Sequence, residues 1–474
     1  MKHARLGLAL LLTVCCLACP ASCDDGLDPP SLSRQCDAPP RVDERGGVVV
    51  LRGASLSGDS KWAADQLPPY DVEDLARLER DFGMNAIRLL VFWEAIEPLP
   101  GVYDRAYLET LRRWVEQAGA LGLHVVVDMH QDVYGRGFGQ AGAPYWSCDA
   151  SEYAGFEPRE PWFLGYLQSE VGHCFDGLYR SGPIRTAFVA AWARLAETLR
   201  GAQAELTYEV LNEPFWGSTS AGEFEREVLT GLYREVIDVV RHVDPQARFL
   251  VEPSPATNVG VPTELGDLER PGVGYAPHFY PAAVELGSGY GGDSEALDQQ
   301  VGVLCGDAER LAMPLVVGEL GVRRNVAGAA EFLRDVYGAL DDARASAFFW
   351  SYERGGRRSY GMLDDEGAPS LQGRAVARPY PKRTAGKPSW WRWEPESSTF
   401  TAEWDEDGTA DGSTRVALPR LAFPHGVTVD LERGGTYFVA DDELQVPQIG
   451  GHRHLVVRAR PAIARTEDDE DREP

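Results

Sequence analysis

The stretch LTYEVLNEPFWG, Leu206 to Gly217, starts as an apolar, β-branched and aromatic run, then turns into an amide, a carboxylate, a proline and two aromatics. Its first half has the composition of a buried strand. Its second half cannot continue one, because Pro214 has no backbone N–H to give a ladder. A core strand that ends in Asn212 and Glu213 is typical of sheets that deliver chemistry from their strand ends.

The same pattern recurs on both sides of it. Short β-rich runs occur at VVVL (Val48 to Leu51), AIRLLV (Ala86 to Val91) and HVVVDM (His124 to Met129), and after LTYEVL at FLVE (Phe249 to Glu252), VGYAP (Val273 to Pro277), PLVVG (Pro314 to Gly318) and AFFW (Ala347 to Trp350). Helical patterns separate them. Asp71 is placed to cap a helix in which Val72, Leu75, Leu78 and Phe82 share a face before Gly83. Leu108, Leu111, Val115 and Ala118 repeat at helical spacing before Gly122. Eight strands alternating with helices predict an α/β fold, a (β/α)₈ barrel.

The character changes after Lys387. From Phe400 to Ala462, alternating runs such as VTVDLE, TYFVA and HLVVRAR are broken by Gly, Pro and Asp, which predicts a small β-sandwich. The expected organisation is an export segment at 1–23, a linker at 24–43, the barrel at 44–386, the sandwich at 387–464 and a solvated acidic tail at 465–474. Trp390, Trp391 and Trp393 are expected to dock the sandwich onto the barrel.

The chain has 474 residues, 44% of them hydrophobic, enough for a large core and more than one domain. Its formal charge of −27 excludes a nucleic-acid partner, since affinity for phosphate backbones comes mainly from Lys and Arg. Lys2 and Arg5 precede an apolar run from Leu6 to Ala18, the layout of an export signal. Cys15, Cys16, Cys19 and Cys23 lie in or just after it, and Cys19 or Cys23 stands where lipoprotein processing would attach lipid, so secreted and lipid-anchored forms are both open. The other cysteines are Cys36, Cys148, Cys174 and Cys305, with no CxxC pair to suggest zinc. Cys148 and Cys174 flank a loop rich in Gly, Pro and aromatics and are candidates for a disulfide; Cys36 with Cys305 follows only by elimination.

Barrel enzymes keep their chemistry at the C-terminal ends of the strands. Polar and aromatic residues gather there: Arg88 in the second strand, His130 after the third, Asn212 and Glu213 after the fourth, His278 and Tyr280 after the sixth, Glu319 after the seventh and Trp350 at the eighth. Each alone has an ordinary explanation as a cap, a core histidine or a loop carboxylate. Together they include two glutamates able to meet across a barrel mouth, as glycoside hydrolysis requires. Asn212 suits a sugar hydroxyl, which favours Glu213 as acid/base, whereas Glu319 lies between glycines that let substrate approach, which favours it as nucleophile. Arg88 and Tyr280 can donate to the nucleophile, and Trp350 offers a pyranose ring an apolar face.

These residues, with NEP at Asn212–Pro214, the PHFY of Pro277 to Tyr280 and the GELG around Glu319, resemble glycoside hydrolase family 5 over about Val48 to Gly386. The resemblance implies a retaining reaction on β-linkages without a cofactor or metal. DMHQDVYG (Asp128 to Gly135), GAPYW (Gly142 to Trp146) and RPYPKRTAG (Arg378 to Gly386) are similar to its endoglycoceramidase branch, whose members cleave between glycan and ceramide and carry a C-terminal β-sandwich. By this resemblance Lys61 and Asp132 become candidates for contacting the first sugar, against the alternative of an ordinary salt bridge or loop charge. Trp216 and Trp146 are placed either to wall a substrate groove or to pack a loop. WFLGYL (Trp162 to Leu167), in an insertion from Tyr145 to Gly182, is open between a lipid-facing lip and loop packing.

The leading expectation is therefore an exported, monomeric hydrolase acting on glycosphingolipid at a membrane or micelle surface. A family 5 β-glucanase or β-glucosidase on soluble glycans is the alternative. A non-catalytic glycan-binding surface lipoprotein would normally lack one of the two glutamates.

Overall fold

The computed structural model describes residues 36–355, 360–432 and 434–461. The export segment with its four cysteines and the acidic tail lie outside the described residues. The described residues divide into two compact units, one of 36–40, Leu51–Ala76 and Asn85–Ala375, the other of Arg41–Val50, Arg77–Met84 and 376–461.

The first strand, β1 (Val48–Val49), belongs to the second unit, where it pairs antiparallel with Thr384 and Arg383. This corrects the expectation that VVVL opens the barrel. The first barrel strand is instead β2 (Arg52–Leu56), with the sequence RGASL. Its small residues carry little strand propensity, but Gly53 lies so close to the Ala86 carbonyl and the Phe348 ring that a β-carbon would sit 2.6–2.7 Å from them. Close backbone approach selects the residue here, not β-propensity.

The barrel continues with β3 (Ala86–Val91), β4 (His124–Met129), β5 (Leu206–Glu209), β6 (Arg248–Val251), β7 (Val273–Tyr275), β8 (His278–Phe279), β9 (Val316–Leu320) and β10 (Ser346–Tyr352). All pairings are parallel, in the order β7-β6-β5-β4-β3-β2-β10-β9-β8. The two ends of that order are one strand interrupted at Ala276–Pro277. Its first half pairs with β6, its second half with β9, and a Tyr275–Leu315 bridge joins the same edges, so eight strands close a (β/α)₈ barrel. The strands are buried on both faces, which explains their near-continuous apolar runs.

Helices cover the sheet as amphipathic elements. In Val72–Phe82 the side chains of Leu75, Leu78 and Phe82 are buried while Val72 is exposed. The Asp71 carboxylate accepts the Glu73 amide at 2.9 Å, and Gly83, at φ 72, ends the helix in the left-handed conformation. In Arg105–Ala120, Leu108, Leu111, Val115 and Ala118 face the core, and Asp104 accepts the Tyr107 amide.

In the second unit the remaining strands are β11 (Pro381–Thr384), β12 (Lys387–Glu394), β13 (Thr399–Glu406), β14 (Ser413–Ala417), β15 (Val427–Leu431), β16 (Phe438–Ala440), β17 (Glu443–Pro447) and β18 (Gly451–Ala459). They form two antiparallel sheets, β1-β11-β14-β17-β16 and β12-β13-β18-β15. Alternate residues of these strands build one apolar core that includes Trp391, Trp393, Phe400, Trp404, Leu444 and Leu455. Trp391 and Trp393 are thus core residues of the sandwich itself, contrary to the docking role expected for them. Strand alternation turns Trp390 outward, where its indole N–H donates to Glu403 at 2.8 Å.

Candidate active site

Arg88, on β3, is fully buried and lies among carboxylates. Its Nε donates to Glu209 Oε2 at 2.5 Å and its Nη2 to Asn212 Oδ1 at 2.8 Å; Nη2 also lies 3.1 Å from Asp128 and 3.4 Å from Glu252. Its Nη1 donates to Glu319 Oε1. Burial alone would lower the Arg88 pKa, but Asp128, Glu209, Glu319 and Glu252 raise it well above the usual value. The guanidinium is therefore a fixed positive charge at the base of the site.

Glu319, near the end of β9, also accepts from the Tyr280 hydroxyl at 3.0 Å. Burial pushes its carboxyl up, yet His278, Arg88, His130 and Lys61 together hold it below the ordinary glutamate value. It is a buried carboxylate kept ionised by neighbouring cations. The Tyr280 phenol is pushed well above its usual range, first by burial and then by Glu319, so it remains a donor.

Glu213 faces this group from the end of the fourth barrel strand. His278 Nδ1 lies 3.0 Å from Glu213 Oε1 and 3.8 Å from Glu319 Oε2. Two carboxyl oxygens that close to one nitrogen are at most ~7 Å apart, which includes the separation of about 5–5.5 Å used by retaining glycosidases. Burial opposes protonation of His278, but Glu252, Glu319 and the hydrogen bond to Glu213 raise its pKa well above that of a free imidazole.

On the other side, His130 Nδ1 is 2.7 Å from Asp128 Oδ2, and its ring stacks on Trp350 with centroids 5.6 Å apart. Lys61 Nζ sits 4.4 Å above the Trp350 ring and donates to Asp132 Oδ2 at 2.8 Å. Lys61 and Asp132 therefore form a salt bridge, and His130 Nε2 is 3.9 Å from the same Asp132 oxygen. The bridge stands beside the aromatic floor instead of in a remote loop. Trp216 is half-buried and stacks on Phe215 at 3.9 Å; Trp146 donates to the Glu97 carbonyl and packs edge-on against Trp93. Both tryptophans make loop contacts.

In the insertion, Cys148 and Cys174 are disulfide-bonded, with Cα atoms 5.3 Å apart. Tyr166 of WFLGYL is buried against Phe215 and Phe175, Trp162 and Phe163 are half-buried, and Leu167 is exposed. Cys36 and Cys305 are buried free thiols, hydrogen-bonded to each other.

Several members of the site were not singled out from sequence. Gln131 donates from Nε2 to the Asn212 carbonyl at 2.7 Å and the Glu213 carbonyl at 3.0 Å, while Asn212 Nδ2 donates to the Gln131 carbonyl. Asn258 Nδ2 lies 3.4 Å from Glu213 Oε1. Glu252 ends the FLVE run and so carried the same strand-end signal as the others. Glu209, Glu252 and His278 bring ligand-type atoms within 4.8 Å of one another. The Arg88 guanidinium already lies against both carboxylates and would repel a metal cation, so this cluster reads as an ion-pair network.

Known proteins resemble this chain in sequence and in fold. Residues 42–356 match the family described as Cellulase (glycosyl hydrolase family 5), and residues 378–454 match the glycoside hydrolase family 5 C-terminal domain. Endoglycoceramidase I of Rhodococcus hoagii is 26% identical over 437 residues, covering 85% of this chain and 83% of that protein. The endo-glycoceramidase II of Rhodococcus sp. solved as a ganglioside GM3 complex superposes with a TM-score of 0.81 at 27% identity, covering 90% of this chain and 100% of that one. The same protein solved as a lactosyl-enzyme intermediate gives 0.78 at 27% identity, covering 89% and 99%. With a family model spanning most of the chain, the chain belongs to glycoside hydrolase family 5 and is a glycoside hydrolase.

Proposed function

We propose that this protein cleaves the β-linkage between glycan and ceramide in glycosphingolipids by double displacement. The observation that carries the reading is the approach of Glu213 and Glu319 to one nitrogen of His278, at 3.0 and 3.8 Å, with Arg88 and Tyr280 both donating to Glu319.

In this reading Glu319 attacks the anomeric carbon while Glu213 gives its proton to the departing lipid oxygen. The glycosidic C–O bond breaks as the Glu319 ester forms. Glu213, now a carboxylate, takes a proton from water, which attacks the anomeric carbon and frees Glu319. Asn212, held by Arg88 and Gln131, is oriented to meet the sugar's 2-hydroxyl, a contact that strengthens as positive charge grows on the ring. Trp350 and the Lys61–Asp132 pair form the sugar-side wall.

The lipid aglycone is supported by the likeness to proteins named endoglycoceramidase and to one solved with a ganglioside. Action at a membrane or micelle surface, a monomeric state and export as a secreted or lipid-anchored protein belong to the same proposal. The N-terminal Lys2, Arg5 and Leu6–Ala18 pattern supports export, as does the Cys148–Cys174 bond, because disulfides persist in oxidising compartments. Among the described residues no helix is long and apolar enough to cross a membrane.

The test is incubation with glucosyl-, galactosyl- and oligosaccharyl-ceramides beside cello-oligosaccharides, with products identified by mass. Release of intact glycan and free ceramide supports the proposal. Cleavage confined to soluble glucans would replace it with the β-glucanase reading.

A further inference from the structure

Glu213 adopts φ 42, a left-handed conformation that non-glycine residues rarely occupy and that costs on the order of 1 kcal/mol or more. Surrounding contacts must hold it there. One stands out: the Glu213 backbone N–H donates to Glu252 Oε2 at 2.8 Å. The same Glu252 oxygen lies 3.3 Å from His278 Nε2, and the other ring nitrogen, Nδ1, is 3.0 Å from Glu213 Oε1. Backbone and side chain of Glu213 are thereby tied to a single carboxyl, one tie direct and the other through an imidazole.

Glu252 is itself fixed. Its side chain is buried, its Oε1 lies 3.4 Å from Arg88 Nη2, and its own carbonyl accepts the Tyr233 hydroxyl at 2.6 Å. A buried carboxyl is costly unless its oxygens are used, and those of Glu252 are spent on Glu213, His278 and Arg88.

We propose that Glu252 is the positioning residue for Glu213, pinning its strained backbone and holding the His278 ring with Nδ1 toward the Glu213 carboxyl. It acts through those two residues and does not meet substrate. The inference rests on the reading of Glu213 as the acid/base and adds a residue to it. Loss of the carboxyl displaces the proton donor by a fraction of an ångström, which matters most when the leaving group needs a proton. Burial pushes Glu252 up to about 8, with His278 and Arg88 opposing and Glu209 reinforcing. Glutamine keeps the length of the side chain and one oxygen able to accept the Glu213 amide.

The experiment measures kcat/KM at pH 6 for an alkyl β-glycoside and for a dinitrophenyl β-glycoside, which leaves without protonation. Glu252→Leu should lose roughly 10²-fold on the alkyl substrate and less than about tenfold on the dinitrophenyl one. Glu252→Asp keeps the carboxyl but is one methylene short; it should show the same bias more weakly, and it serves as the readout if the leucine variant does not fold. Glu252→Gln should restore both substrates to within about tenfold of wild type. Equal losses on the two substrates, or a glutamine variant as poor as leucine, would mean a merely structural role and overturn the proposal. Glu213→Gln, run in parallel, separates the two ideas. If it loses both substrates alike, the acid/base reading falls; if it alone shows leaving-group bias, only the role of Glu252 falls.

Discussion

Tyr280 gives its phenolic hydrogen to Glu319, with Oη 3.0 Å from Oε2. Arg88 holds the other oxygen of the same carboxylate, so the tyrosine fixes the plane of the group as well as its charge. Tyr280→Phe is expected to lower kcat/KM on the order of 10²-fold, the usual cost of one donor aimed at a reacting oxygen. Because the phenol titrates well above its usual range, the loss should be constant from pH 5 to pH 9. A loss that appears only at high pH would place the tyrosine outside the reaction.

Glu319 should carry the covalent intermediate. A 2-deoxy-2-fluoro glycoside with a good leaving group is expected to inactivate the enzyme, and peptide mapping should find the sugar on Glu319. Glu319→Gln should lower turnover on the order of 10⁴-fold or more. Sugar trapped on a different residue would remove Glu319 as the nucleophile, and a product first released as the α-anomer would rule out double displacement.

Glu353, just past β10, supplies a pH dependence of stability. Burial and Asp59 push its carboxyl up to about 7, against Ser351 and Lys61. A raised pKa means that the folded state binds the proton more tightly, so this stabilisation is complete below about 4.5 and is lost as pH rises through about 7. Glu353→Gln should melt at nearly the wild-type temperature at pH 5 and several degrees higher at pH 8, for a cost relieved of up to ~3 kcal/mol. An equal change at both pH values would show that the carboxyl does not titrate in this window.

The Cys148–Cys174 bond closes a loop of sequence separation 26. Replacing both cysteines by serine should destabilise the protein by about 3 kcal/mol, read as a lower melting temperature under oxidising conditions. Under reducing conditions the difference should vanish. A variant that melts with the wild type in both states would show that the insertion is held by its aromatic contacts alone.

Much of this was legible in the primary sequence, for reasons that lie in local patterning. A parallel barrel strand is buried on both faces, so it appears as a short apolar run, and the polar residue closing each run stands at the catalytic end. That is how Arg88, His130, Asn212, Glu213, His278, Tyr280, Glu319 and Trp350 could be picked out together, and how helices ending at Gly83 and Gly122 could be placed between strands. The first barrel strand escaped because RGASL is selected by close backbone approach at Gly53, a property of its neighbours that propensity does not contain. The valines beside it were read as barrel because strand character does not say which sheet a strand joins. Trp391 and Trp393 show the same limit: aromatic clustering announces burial, while the face into which they are buried depends on register.

What the order of residues determined by itself was the alternation of strands and helices and the two strand-end glutamates, because each is written in spacing and residue type. What only the tertiary structure decided was the electrostatic setting: which carboxylate stays ionised, and which carboxyl holds the other in place. Glu319, Glu252 and Glu353 are each a glutamate at or near a strand end, yet one is held below the ordinary range and the others are pushed up to about 8 and about 7. The difference is the set of charges within a few ångströms and the water that has been excluded, and residues as distant in sequence as Arg88 and Glu319 supply both only once the barrel has closed.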